Sequence, residues 1–179
     1  NAAGIAIDSI GGTSIGAIIA SLAALGWSGD QILEACKARF VEGKPLDDYT
    51  LPLVSIVAGK KLRKAFVAAI GGTRIEDLWL PFFAVSTNLS RQRAEIHERG
   101  PLWRALRASI SLPGILPPVI ADGDVLVDGG VVDNLPIGVM RDRMKGRING
   151  VDLRVGKAGS LNHKEMPSAF EILVSRFLP

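Results

Sequence analysis

The stretch Asp8-Ser9-Ile10-Gly11-Gly12-Thr13-Ser14-Ile15-Gly16-Ala17-Ile18-Ile19-Ala20 decides the reading of this chain. Its centre, Gly12 to Gly16, fits the pattern G-x-S-x-G. In that pattern a buried strand turns sharply into a helix and leaves one serine exposed on strained backbone. Glycines two before and two after the serine leave no Cβ to clash across the turn. The helix that follows aims its unpaired N–H groups and partial positive charge at the place where an oxyanion would form. The flanks suit this: Ile5 to Ile10 reads as a short strand, and Ala17 to Leu25 as an apolar helix stopped by Gly26. Ser14 is thus a candidate nucleophile, with Gly12 and Gly16 shaping its elbow. The competing reading is a Gly-rich turn that only packs, or that holds a phosphate on the helix N-terminus. A Walker loop is excluded because no Gly-Lys-Ser/Thr follows, and G-x-G-x-x-G is not matched.

The length of 179 residues suits one domain, 1–179, with a sizeable core. A hydrophobic share of 47% against 22% charged is globular rather than disordered. A net charge of +3, with no basic run interleaved with aromatics, gives no argument for nucleic acid. Cys36, the one cysteine, leaves no intrachain disulfide and reads as a small buried hydrophobe in a helix. Without H-E-x-x-H or C-x-x-C no metal site is expected. The longest apolar run, Ile15 to Trp27, is too short for a bilayer. The opening Asn1-Ala2-Ala3-Gly4, without Met, reads as cut from a longer chain.

Downstream, Ser28-Gly29-Asp30 offers caps for a helix over Gln31 to Phe40, with Ile32, Leu33, Cys36 and Phe40 at helical spacing. Val41 to Leu53, with its glycine, prolines and aspartates, reads as a loop. Val54 to Ile70 reads as a helix carrying Lys60, Lys61, Arg63 and Lys64. That cluster is a solvated face or a contact for lipid phosphates. Leu80 to Thr87 reads as a buried strand, Arg93 to Glu98 as a more exposed one, and Leu102 to Ser111 as an amphipathic helix. Leu112 to Val119 is apolar yet full of helix breakers, so it lines a greasy pocket or packs over the core. Asp124 to Val127 is a strand ending in Asp128-Gly129-Gly130. That arrangement can hold a carboxylate on a rigid element, though Asp-Gly alone is first a turn signal. Pro136 to Met144 suits a helix, Gly150 to Val155 a last strand, and Phe170 to Leu178 a terminal helix. Strands and helices alternate, which favours a parallel α/β sheet with helices on both faces.

A serine nucleophile needs a base. His97, on an alternating strand among charged residues, and His163, in a polar segment, both read as surface histidines. Ser14 with Asp128 is the better pair.

Three ordered stretches carry a resemblance. Ile7 to Ala17 resembles the nucleophile elbow of the patatin-like phospholipases. Ala108-Ser109-Ile110-Ser111-Leu112-Pro113-Gly114, through Pro117-Pro118-Val119, resembles a loop of that family. Leu126 to Gly130, followed by Asn134-Leu135-Pro136, resembles its aspartate motif. Ile75 to Phe83 and His97 to Arg104 are most similar to the branch that contains neuropathy target esterase and its bacterial relatives. The resemblance implies an α/β fold, a three-layer α/β/α sandwich with a mostly parallel central sheet. It implies a lipid acyl hydrolase in which Ser14 is acylated and Asp128 takes its proton, with Gly129 and Gly130 in the aspartate loop and no cofactor or metal. Phospholipids, lysophospholipids or other fatty-acyl esters are the implied substrates. The implied setting is cytoplasmic or peripheral to a membrane. The family's Gly-rich oxyanion loop precedes the elbow, so this sequence reads as a domain truncated before its N-terminal strand, with the Ile15 N–H as the donor that carries over. An inactive lipid-binding or regulatory module, and an acyltransferase using the same pair, are the competing functions.

Overall fold

Phe82–Asn88 (β2) is a run of apolar and small residues, every one buried, and the sheet is assembled around it. The computed structural model describes residues 6–38, 46–50 and 55–153. Ile10–Thr13 (β1) lies parallel to β2, with Ile10 opposite Phe82 and Thr13 opposite Val85. Arg93–His97 (β3) folds back antiparallel on the other edge, His97 opposite Ala84. Val119–Ala121 (β4) and Asp124–Asp128 (β5) form a hairpin, and β5 joins β2 antiparallel with Asp128 opposite Ser86. Because β3 occupies one edge of β2 over residues 84–88, β1 and β5 share the other. They approach from opposite directions, and their C-terminal ends meet between Val85 and Ser86.

Five helices accompany the sheet among the described residues: Ile15–Ala24 (α1), Gly29–Cys36 (α2), Lys60–Ile70 (α3), Leu102–Ser109 (α4) and Ile137–Arg143 (α5). Ala17, Ile18 and Leu22 of α1, Leu62 and Phe66 of α3, and Leu102 and Leu106 of α4 bury one core with Phe82 and Ala84. Side chains alternate across a strand, so Phe83 points to the other face. There the Arg143 guanidinium of α5 lies 5.8 Å from its ring. Helices α1, α3 and α4 thus pack on one face and α5 reaches the other through Arg143, consistent with the expected α/β/α order.

Several expectations change. The sheet was expected to be mostly parallel. Among the described residues it is mixed, with only β1/β2 parallel. Two hairpins, β2/β3 and β4/β5, supply the reversed strands, and hairpins are antiparallel by construction. The first strand begins at Ile10, where the first residue of β2 stands opposite it, and runs through Gly11 and Gly12. The helix expected from Val54 starts at Lys60, because Gly59 is left-handed (φ 75°) and Ser55 and Val57 make extended bridges to Gly114 and Tyr49. The capping box at Ser28 and Gln31 starts α2 two residues early. Val119 to Ala121, read as the end of a loop and beyond, is a strand. Residues 149–179 separate from 1–148 as a second unit. Its described residues, 149–153, carry no strand. His163, the terminal helix and the end of the expected last strand lie outside the described residues.

Candidate active site

Ser14 joins β1 to α1 with φ 55° and ψ −126°, a conformation that disfavours any residue with a Cβ. Such backbone costs on the order of 1–3 kcal/mol and persists only where its surroundings hold it. Four hydrogen bonds hold it here. The Ser14 N–H donates to Ser109 Oγ at 2.9 Å. The Ser14 carbonyl accepts from the N–H groups of Ala17 (3.0 Å) and Ile18 (3.3 Å). The Ser14 hydroxyl donates to Asp128 Oδ2 at 2.6 Å. The N–H groups of Ile15 and Gly16 open α1, whose N-terminus carries partial positive charge.

The two glycines of the elbow do different things. A Cβ on Gly12 would fall 2.6 Å from the Gly16 carbonyl carbon and 2.8 Å from the Ala17 nitrogen, so the turn closes only over glycine. A Cβ on Gly16 would meet nothing within 4 Å. The expectation that both glycines relieve a clash is corrected: Gly16 is exposed, and what is close-packed is its backbone against Gly12.

Asp128 is 1% exposed. Its Oδ1 accepts from the Gly130 N–H at 2.7 Å, its N–H donates to the Ser111 carbonyl at 2.9 Å, and its carbonyl accepts from Thr87 Oγ1 at 2.9 Å. Burial pushes its carboxyl above the ordinary carboxylate range, while the hydrogen bonds from Ser14 and Gly130 pull the other way. A raised pKa makes a carboxylate a better proton acceptor. Gly129 is required sterically, since a Cβ there would lie 2.3 Å from the Val85 carbonyl oxygen and 2.8 Å from Thr13 Cγ2. Thr13 Oγ1 donates to the Asp133 carbonyl at 2.8 Å, tying the end of β1 to the segment after the aspartate.

The structure therefore brings together Ser14, Asp128, Gly12, Ile15, Gly16, Gly129 and Gly130. It does not bring His97 to Ser14. Nor is His97 a free surface histidine: it is partly buried, and its Nε2 lies 2.7 Å from the hydroxyl of the fully buried Ser86. Burial lowers its pKa, partly offset by Glu95. Cys36 is only partly buried. Among the described residues no group of His, Cys, Asp and Glu could hold a metal ion, and no helix is long and apolar enough to cross a membrane.

The apolar segment after α4 packs over the core. Leu116 is buried within it, and Gly114 and Ile115 accept from the N–H groups of Ile56 and Val57 at 3.0 Å each. Arg107 anchors it, donating to Ser111 Oγ (2.5 Å) and the Pro117 carbonyl (2.9 Å). Of the basic cluster, Lys61 pairs with Asp47, and Arg63 lies 5.2 Å over the Trp103 ring. Sequence reasoning missed the part played by Ser109, since a serine at a helix end has no distinguishing pattern.

Residues 1–141 match the family profile described as patatin-like phospholipase. A protein named lysophospholipase NTE1 from Meyerozyma guilliermondii is 38% identical over 181 residues, covering 98% of this chain and 13% of its own length. Lysophospholipase NTE1 of Candida albicans is 35% identical, again over 98% of this chain and 13% of its own. An uncharacterized NTE family protein of Mycobacterium tuberculosis is 41% identical over 152 residues, 85% of this chain and 26% of its own. The chain spans only a minor part of the length of these relatives.

Proposed function

Because the chain belongs to the patatin-like phospholipase family, in its NTE-like branch, we propose that it cleaves the carboxylic esters of phospholipids or lysophospholipids through Ser14 and Asp128. The observation that carries this is the 2.6 Å hydrogen bond from the Ser14 hydroxyl, on strained backbone, to a buried carboxylate. Ser14 Oγ attacks the ester carbonyl carbon as its proton passes to Asp128 Oδ2. The carbonyl oxygen takes the negative charge and is met by the N–H of Ile15 at the N-terminus of α1. Collapse breaks the ester C–O bond, the leaving alcohol takes the proton from Asp128, and the acyl group stays on Ser14. Asp128 then deprotonates a water that attacks the acyl carbon, and the fatty acid leaves as Oγ regains a proton. A carboxylate is intrinsically a weaker base than imidazole, about 4 against about 6.5 in reference pKa. Its burial narrows that gap, and the short bond sets the proton's path.

The names of the relatives support a lysophospholipid as the substrate to try first. The full natural chain is assayed on a short-chain chromogenic ester and on a lysophospholipid, with Ser14→Ala as control. Hydrolysis lost in the variant, with its fold kept, supports the reading. Hydrolysis kept in Ser14→Ala refutes it. Absence of turnover in both, with lipid still bound, favours a binding module. Ester products formed when alcohol is added would indicate acyl transfer.

A further inference from the structure

We propose that Ser109, which touches no reacting atom, is the positioning residue that turns β1 out of the sheet and sets Ser14 against Asp128. In the parallel β1/β2 ladder the Ile10 N–H donates to the Pro81 carbonyl at 3.0 Å. Parallel rungs repeat every second residue, so the same register carries the Ser14 N–H to the Val85 carbonyl. That rung is not made directly. The Ser109 hydroxyl stands in it, accepting from the Ser14 N–H at 2.9 Å and donating to the Val85 carbonyl at 2.6 Å. One hydroxyl, at the last turn of α4, serves as acceptor and donor at once. It satisfies both backbone groups while holding them a full atom further apart than a ladder permits.

The consequence follows from burial. Ser109 is 0% exposed, so no water is at hand to replace its hydroxyl. Without it, the Ser14 N–H and Val85 carbonyl either stay unpaired, which is unfavourable for each, or close on one another. Closure completes the rung, returns Ser14 toward extended backbone, and draws its Oγ away from Asp128 Oδ2. Either way the nucleophile is misplaced, and a misplacement of about 1 Å costs roughly 100-fold in rate. Substrate binding is untouched, because Ser109 lies beneath the elbow rather than beside it.

This rests on the reading of Ser14 as nucleophile, and the experiment separates the two. Ser109→Ala and Ser109→Cys are compared with the parent in the full natural chain, using a p-nitrophenyl ester and a fluorophosphonate to titrate reactive serine. The expected result for Ser109→Ala is a kcat per titrated site lower by about 10- to 100-fold, with KM unchanged and fluorophosphonate labelling slowed in parallel. Cysteine, similar in shape but a weaker donor and acceptor, should fall between the two. A folded variant of either kind whose kcat per titrated site equals the parent's overturns the proposal, whatever its melting temperature. If the alanine variant does not fold, the cysteine variant decides. Ser14→Ala that still hydrolyses ester removes the functional reading itself. An inert Ser14→Ala beside a fully active Ser109→Ala removes only this inference.

Discussion

Asp128 stands opposite Ser86 in the β2/β5 ladder, the register position that Ser14 would take if β1 ran on by one residue. Two strands of opposite direction share one edge of β2 and end against each other. The last residue of one and the first residue beyond the other become neighbours although 114 positions separate them in sequence. Asp128 is fixed by hydrogen-bonded strand backbone, which places side chains more precisely than loops do, and Ser14 by the junction of β1 with α1. The geometry of the pair is a property of the sheet, and the glycines and Ser109 are what let the chain leave the sheet at that point.

Asp128 is held at the expense of stability. Its carboxyl is raised in the folded state by burial, so folding favours the neutral form. Its contribution is fully present below the unfolded value of about 4 and is lost as pH rises through the folded value. At neutral pH the ionised group opposes folding. Asp128→Asn should therefore abolish ester hydrolysis while unfolding at an equal or higher denaturant concentration at about pH 7. The advantage should vanish below about pH 4. Denaturant titrations at the two pH values check this, and a variant less stable than the parent at neutral pH would contradict the sign. The same raised pKa moves the acidic limb of the parent's pH–rate profile above the ordinary carboxylate range.

Much of this was legible from local pattern. The apolar run of β2, the helical spacing of α1 and α4, and the glycines around Ser14 and Asp128 each record a local constraint. What was not legible depends on partners remote in sequence. The β1 boundary is set by Phe82, the start of α3 by extended pairing of residues 55–57 before Gly59, and the burial of His97 by a serine eleven residues away across a hairpin. The direction of β5 could not be read from its own residues, because alternation looks the same in parallel and antiparallel ladders. Ser109 was invisible for a related reason: a hydroxyl spliced into a ladder leaves no periodic trace.

The glycines separate into two classes that mutation should distinguish. Alanine at Gly12 or Gly129 drives a Cβ to within 2.6 Å of Gly16 backbone or 2.3 Å of the Val85 carbonyl oxygen. Those contacts are rigid, so both variants should lose at least about 2 kcal/mol of stability and most activity. Gly16→Ala meets nothing within 4 Å and replaces glycine inside a helix, which favours folding by about 1 kcal/mol. It should fold at least as stably as the parent, and any loss of activity should then appear in KM, as crowding of an approaching ester. Thermal melts and Michaelis curves for the three variants test the division. A Gly16→Ala protein as unstable as Gly129→Ala would mean that the elbow is tighter than its geometry shows.

His97 offers the sharpest test of two residues against three. Its ring bonds to Ser86, which faces Asp128 across the ladder, and the Ser14 hydroxyl donates a hydrogen bond to Asp128. His97→Gln keeps a hydrogen-bonding side chain beside Ser86 and removes the titrating ring. Ester hydrolysis at neutral pH should stay within about threefold of the parent, whereas loss of a histidine that served as base would cost about a thousandfold or more. Stability should respond differently. Burial depresses the folded pKa of His97, with Glu95 opposing, so its neutral form favours folding. That contribution is present above the unfolded value of about 6.5 and is lost as pH falls through the folded value. His97→Gln should therefore flatten the acid side of the stability profile while leaving the neutral side little changed. Unfolding midpoints measured from neutral pH downward, beside rates at neutral pH, give both readouts. A collapse of the rate with the fold intact would put His97 in the reaction and replace the Ser14–Asp128 pair with a triad.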